Sequence, residues 1–170
     1  MESESEASFT RWAGDRQLAL LRTAVLLTGD HHRAEDLVQD ALAKVAARWE
    51  RLRDEAPESY ARKVIVRTNI SWWRKQRREV VTEPGDRPVD GGEPSVDRRI
   101  LLDQALARLT ARQRAAVVLR YYDDLPERET AEALGVSVGT VKSTTHHALR
   151  QMRESSPELA ELLGAVEEVR

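Results

Sequence analysis

The chain has 170 residues, 41% hydrophobic and 33% charged, with 27 Lys and Arg set against 29 Asp and Glu for a net charge of −2. That length holds one compact domain or two small ones, and it excludes a large α/β barrel or a two-halved dinucleotide-binding enzyme. The absence of cysteine excludes disulfides, thiolate metal sites and a cysteine nucleophile, and fits a reducing cytoplasmic setting.

At the N-terminus Glu2, Glu4 and Glu6 alternate with small polar residues, the reverse of a basic and then apolar export signal. The longest apolar window, residues 18–27, is broken by Arg22 and Thr23 and falls short of the ~20 residues a membrane span needs. A soluble protein without membrane contact is expected. Apolar residues recur at spacings of three and four, with almost no alternation of period two, which predicts an all-α fold.

The first predicted helix uses Leu18, Leu21 and Val25 with Leu20, Ala24 and Leu27; it ends at Gly29, a favoured left-handed cap, and Asp30 offers the N-cap of the next. In the second, Ala34, Leu37, Val38, Ala41, Leu42, Val45, Trp49 and Leu52 form one stripe, with Glu35, Asp36, Gln39 and Asp40 on the outer face. A third helix starts near Pro57 and buries Ala61, Val64, Ile65, Thr68 and Trp72, while Lys63, Arg67, Arg74 and Arg78 gather on another side. Residues 84–94 hold three Pro, three Gly and a single aliphatic residue and cannot build a core, so a mobile linker is expected there.

Beyond it, Leu102, Ala105, Leu106 and Leu109 close one helix, and Thr110-Ala111-Arg112-Gln113 is a capping box that opens another reaching about Tyr122. Asp123-Asp124-Leu125-Pro126 is the break before a short helix over 127–134 and a final one with core positions Val141, Thr145, Ala148, Leu149 and Met152. The chain thus divides into a module at 1–80, a flexible acidic linker at 81–97, a second module at 98–153 and an acidic tail at 154–170.

Charge is segregated along this order, and local fields steer partners more than the total does. Residues 60–78 carry seven basic side chains and no acidic one; residues 79–97 carry six acidic side chains against Arg87 alone. From 137 to 153 the balance is again positive through Lys142, Arg150 and Arg153, with His146 and His147 able to add charge in mild acid.

The most specific motif runs from Thr130 to Val141 and has the pattern of a helix-turn-helix. Ala131 is small where two helices cross, Gly135 permits the tight turn, Leu134, Val136 and Val141 lock the pair, and Ser137 caps the second helix. In a major groove that helix would present Ser137, Gly139, Thr140, Lys142, Ser143 and His146, with Arg150 and Arg153 at phosphates. In the third helix Trp72 and Trp73, about 100° apart, cannot both face the core. One of them should lie beside Arg74 and Lys75, near Arg77 and Arg78, where aromatic faces among cations can stack on unpaired bases; core packing is the competing role for Trp72.

The acidic outer face of the second helix has no apolar pocket beside it, and no phosphate-cradling glycine loop occurs elsewhere, so neither catalysis nor a metal or other cofactor is expected. The adjacent pairs His31-His32 and His146-His147 diverge on a helix and do not form a zinc chelate. A stand-alone helix-turn-helix regulator binding a symmetric operator as a dimer is the alternative that these local motifs leave open.

Taken in order, Leu26-Leu27-Thr28-Gly29-Asp30, the run from Ala34 to Leu42, Trp72-Trp73-Arg74, Leu109 to Arg114 with Val118 to Tyr122, and Gly139-Thr140-Val141-Lys142-Ser143 resemble bacterial sigma factors of the extracytoplasmic-function (ECF) type, in detail the actinobacterial SigE-like branch. The resemblance implies that the modules are regions two and four of a transcription initiation subunit. It implies that Glu35, Asp36, Gln39 and Asp40 lie on the face that docks on the β′ clamp helices of core RNA polymerase. The −10 promoter element would be read and opened by Lys63, Arg67, Asn69, Trp72, Trp73, Arg74, Lys75, Arg77 and Arg78. The helix-turn-helix would read the −35 element and pack on the β flap, and an anti-sigma factor is a common further partner. Two departures stand out: Val66-Arg67 occupies the place where many relatives carry Arg-Asn, with Asn69 two residues on, and Thr144-Thr145-His146-His147 follows Lys142-Ser143 where an arginine is commoner.

Overall fold

The structure, a computed structural model, describes residues 2–79 and 94–159, and every regular element among them is helical. Helix α1 (Glu2–Thr28) closes on Gly29, whose φ of +67° is left-handed and whose N–H reaches the Val25 carbonyl at 2.8 Å. Asp30 then caps α2 (His31–Ala46) by accepting the Arg33 N–H at 3.0 Å.

The first helix starts well ahead of the predicted stripe. Phe9 and Trp12, one turn apart, both pack on Trp49 with ring centroids 5.4 Å away, and the Trp49 indole donates to Ser8 Oγ at 2.7 Å. Leu20, Ala24 and Leu27 are buried as expected, but Leu18 is 56% exposed. The single stripe expected from Ala34 to Leu52 is two elements. α2 stops at Ala46, and the chain turns through two exposed residues into α3 (Trp49–Leu52), which carries Trp49 onto the α1 aromatics.

Helix α4 (Pro57–Glu79) lies across α1 and α2 and buries Ala61, Ile65 and Val66. Residues 80–93, most of the expected linker, lie outside the described residues; α5 (Pro94–Ala107) takes up the last four positions assigned to it. The capping box forms in both directions: Thr110 Oγ1 accepts the Gln113 N–H at 3.2 Å and Gln113 Oε1 accepts the Thr110 N–H at 3.0 Å.

Helix α6 (Ala111–Val117) does not run on to Tyr122 as an α-helix. Val118–Tyr122 widen into a π-helical turn, with the Asp123 N–H on the Val118 carbonyl at 3.0 Å. That wider turn carries Asp123 towards α1. α7 (Glu127–Leu134) and α8 (Val138–Ser155) complete the second module, whose predicted core positions on α8 are all buried. α8 runs into the expected acidic tail, and Leu159 is buried at 4%; residues 160–170 lie outside the described residues.

The modules share a surface. α4 packs on α6 and α7, and α1 packs on α6 and on the π-helical turn.

Candidate nucleic-acid and protein interfaces

The helix-turn-helix is built by two left-over backbone needs met locally. Gly135, at φ +68°, ends α7 with its N–H on the Ala131 carbonyl, and Ser137 starts α8 by accepting the Thr140 N–H at 3.1 Å. Ala131, Leu134 and Val141 are buried between the helices while Val136 is half-buried. The face left over is the expected one: Ser137, Gly139, Lys142, Ser143, His146 and Arg150 are exposed, with Thr140 half-buried. Its cations have carboxylate neighbours from beyond the 137–153 segment, Lys142 at 3.6 Å from Glu127 and Arg150 at 3.8 Å from Glu154. Both pairs are exposed and therefore weak, and a phosphate can displace them.

On α4, Arg74, Lys75, Arg77 and Arg78 are exposed and Lys63 is half-buried. Trp72 is 37% exposed, not sealed in the core. The Arg33 guanidinium lies over its ring, 3.0 Å from the centroid, and Trp73 meets it edge-on at 5.0 Å. Burial holds the Arg33 pKa down to about 10, with Arg114 adding repulsion and Asp30 opposing it; the group is still cationic at neutral pH.

Asn69 departs from its expected role. It is 1% exposed, donates to the Leu27 carbonyl at 3.3 Å and accepts from Arg33 Nη2 at 2.9 Å. An amide so placed braces the end of α1 against α2 and α4. Arg67 is also engaged: its Nε donates to the Ala133 carbonyl at 3.1 Å and its Nη2 to the Glu132 carbonyl at 2.9 Å, both on α7.

The outer face of α2 stands opposite the buried Ala34, Leu37, Val38 and Ala41. Glu35, Asp36 and Gln39 are exposed and Asp40 half-exposed. Glu35 lies within 3.4 Å of His31 and 3.7 Å of His32, and Asp40 pairs with Lys44 at 2.7 Å. Asp36 makes no ion pair among the described residues.

Four residues absent from the sequence-derived sites, Thr23, Arg62, Arg114 and Asp123, bind the modules together. Asp123, whose side chain is 7% exposed, accepts from Thr23 Oγ1 at 2.7 Å and from Arg62 Nε at 3.1 Å. Arg114, 6% exposed, reaches the Leu27 carbonyl at 3.0 Å. Burial raises the Asp123 pKa, with Glu58 adding to the rise and the Thr23 hydrogen bond and Arg62 opposing it. The folded chain then keeps this proton where the unfolded chain has released it. This contribution therefore favours folding at acid pH and is lost as pH climbs from about 3.9 through the raised value. Asp123→Asn removes it. The difference in urea midpoint, wild type minus variant, should fall as pH rises from about 4, and a flat difference would contradict the assignment.

Models of Sigma-70 region 2 and of Sigma-70, region 4 match residues 15–79 and 99–152 of the chain. It is 46% identical over 143 residues to the RNA polymerase sigma-E factor of Streptomyces antibioticus, covering 82% of this chain and 79% of that protein. With the ECF RNA polymerase sigma factor SigL of Mycobacterium tuberculosis it shares 35% identity over 164 residues, covering 91% and 93%. Among solved structures it is similar to the sigma factor RpoE of Bartonella quintana, in complex with the anti-sigma factor NepR, at a TM-score of 0.68 and 27% identity, covering 86% of this chain and 94% of that one. No described helix is long and apolar enough to cross a membrane.

Proposed function

Because the chain belongs to the ECF sigma factors of the sigma-70 family, we propose that it is a dissociable subunit of cytoplasmic RNA polymerase that confers promoter recognition, starts DNA melting and has no active site of its own. The observation that carries this reading is the pairing, in one chain, of two cationic surfaces on separate modules with an exposed acidic face on α2. Two DNA-reading surfaces suit two promoter elements, and the acidic face suits a protein.

In this reading Asp36, Gln39 and Asp40, flanked by Glu35, dock on the β′ clamp helices. Ser137, Gly139, Thr140, Lys142, Ser143, His146 and Arg150 face the −35 element while their module packs on the β flap. At −10, Arg74, Lys75, Arg77 and Arg78 hold phosphates, and the ring of Trp72, with Arg33 over one face and Trp73 edge-on, offers its remaining exposed surface for stacking. Melting is then differential binding: capture of an unstacked base offsets a few kcal/mol of unpairing. Asn69 supports this platform from inside through Arg33. The NepR-bound Bartonella relative supports an anti-sigma factor as a further partner.

The test is transcription by sigma-free bacterial core polymerase from a genomic promoter library, with and without the purified chain. Discrete start sites that require the chain are the expected result. Protection of a two-fold symmetric DNA site by the chain alone, with no effect on core polymerase, would instead establish the regulator.

A further inference from the structure

The cation that lies over the Trp72 ring comes from another element, and no anion matches it. Arg33, in the first turn of α2, is half-buried and sets its guanidinium 3.0 Å from the Trp72 ring centroid and 5.5 Å from that of Trp73. A guanidinium carries five N–H donors. One of them is used on Asn69 Oδ1 at 2.9 Å, and among the described residues Arg33 makes no second side-chain hydrogen bond and no ion pair. Burial and the repulsion of Arg114 both act against its charge, with Asp30 opposing them. The Asp30 carboxylate, however, accepts the Arg33 backbone N–H at 3.0 Å and so serves the helix end. Arg74 and Lys75, which follow the two tryptophans, add only more positive charge. A half-buried cation with donors to spare is unfavourable unless a counter-charge arrives. Its place is nevertheless fixed, because Asn69 is buried and tied in turn to the Leu27 carbonyl.

We infer that Arg33 and Trp72 together form a site for one nucleotide of an unpaired DNA strand, Trp72 taking the base and Arg33 the phosphate. Its setting at a promoter rests on the sigma-factor reading; the chemistry of the pair does not. Trp72 is 37% exposed, with the guanidinium on one face of its ring. A base stacked on the open part carries its phosphate past the edge of the ring, towards the guanidinium. The phosphate oxygens then accept the donors left over and supply the missing charge, in a bond stronger than one between neutral groups. Because Asn69 holds Arg33 in place beforehand, little ordering is needed when the strand arrives. A paired duplex keeps its bases stacked on one another and cannot offer both groups at once. Phosphate carries no sequence information, so Arg33 strengthens the hold on every unpaired strand alike and leaves base preference to other residues.

The test binds holoenzyme, assembled from core polymerase and the full chain, to a forked promoter DNA whose −10 strand is unpaired, and measures affinity against salt concentration. Arg33→Gln keeps a planar amide against the ring and removes the charge. It should weaken binding about tenfold and flatten the slope of log K against log salt by about 0.7, the share of one single-strand phosphate. Arg33→Lys should keep the slope, since it keeps the charge, whereas a purely structural role for Arg33 would leave the slope unchanged in both variants. Trp72→Ala should lower affinity without changing the slope. Neutral methylphosphonate linkages are then placed one at a time along the unpaired strand, and at one position the parent and Arg33→Gln should bind equally. An unaltered slope in Arg33→Gln, or a difference that persists at every linkage, would overturn the proposal. So would inorganic phosphate competing as well as the strand, which would make Arg33 a site for a free anion. Co-elution of each variant with core polymerase separates loss of the strand from loss of docking. If the parent chain forms no holoenzyme, the sigma-factor reading fails, and the same slopes measured on the free chain with a single-stranded oligonucleotide decide the role of Arg33.

Discussion

Arg114→Met should destabilise the chain by about 2 to 4 kcal/mol, among the largest effects expected of a single substitution at a charged residue. Arg114 is 6% exposed, yet no carboxylate partner explains its burial. Its guanidinium donates to four carbonyls instead: Leu106 at 2.8 Å, Leu27 at 3.0 Å, Ala107 at 3.3 Å and Leu109 at 3.4 Å. Three of these lie at the end of α5 and in the turn after it, where a helix has lost its own donors. The fourth ends α1. Methionine keeps much of the volume and removes the cost of burying a charge, which already lowers the Arg114 pKa. The Leu106 carbonyl keeps the Leu109 N–H and that of Leu27 keeps the Asn69 amide, but the Ala107 and Leu109 carbonyls lose the guanidinium, and each buried orphan costs about 1–3 kcal/mol. Urea denaturation should show the loss, with Arg114→Lys intermediate because an ammonium cannot span the same fork of acceptors. A change under about 0.5 kcal/mol would mean that water replaces the guanidinium and that the contacts carry no net stability.

Much of this architecture was legible because it is local. The stripe of α2 as far as Val45, the stripe of α8, the Gly29–Asp30 and Gly135–Ser137 junctions and the Thr110 capping box each depend on residues within one or two turns, and each forms as expected. What was not legible depends on what lies across the gap. The first half of α1 lacks a strong apolar period and is held by Phe9 and Trp12 against Trp49, a residue from another element. Asn69 looked available to DNA until Leu27 and Arg33 were placed around it. Arg114 did leave a signal: it shares its helical face with the buried Val117 and Val118. An arginine on an apolar stripe marks a cation drawn inside to serve backbone acceptors. Arg67 meets the same need at the end of α7, and its position among six other basic residues gave no hint of it.

Reversing Asp36 and Asp40 together, as Asp36→Arg/Asp40→Arg, should weaken binding to sigma-free core polymerase at least about a hundredfold. Both side chains project from the face of α2 opposite its buried stripe, so their replacement leaves the core untouched. Asp36 has no ion pair to lose among the described residues, and Asp40 loses an exposed pair with Lys44, worth under about 1 kcal/mol. The fold should therefore survive, and helicity should be unchanged. An interface that recognises carboxylates must present cations or amides to them, and two arginines place like charge against it. Size-exclusion co-elution reads the result directly. The control is Glu6→Arg/Asp15→Arg, the same change in net charge at exposed positions on α1, which should co-elute as the parent does. Retained binding in the α2 variant would mean that its acidic face is a solvated surface and that the polymerase holds the chain elsewhere. Loss of binding in both variants would show that the sign of the overall field, and not the α2 face, governs the encounter.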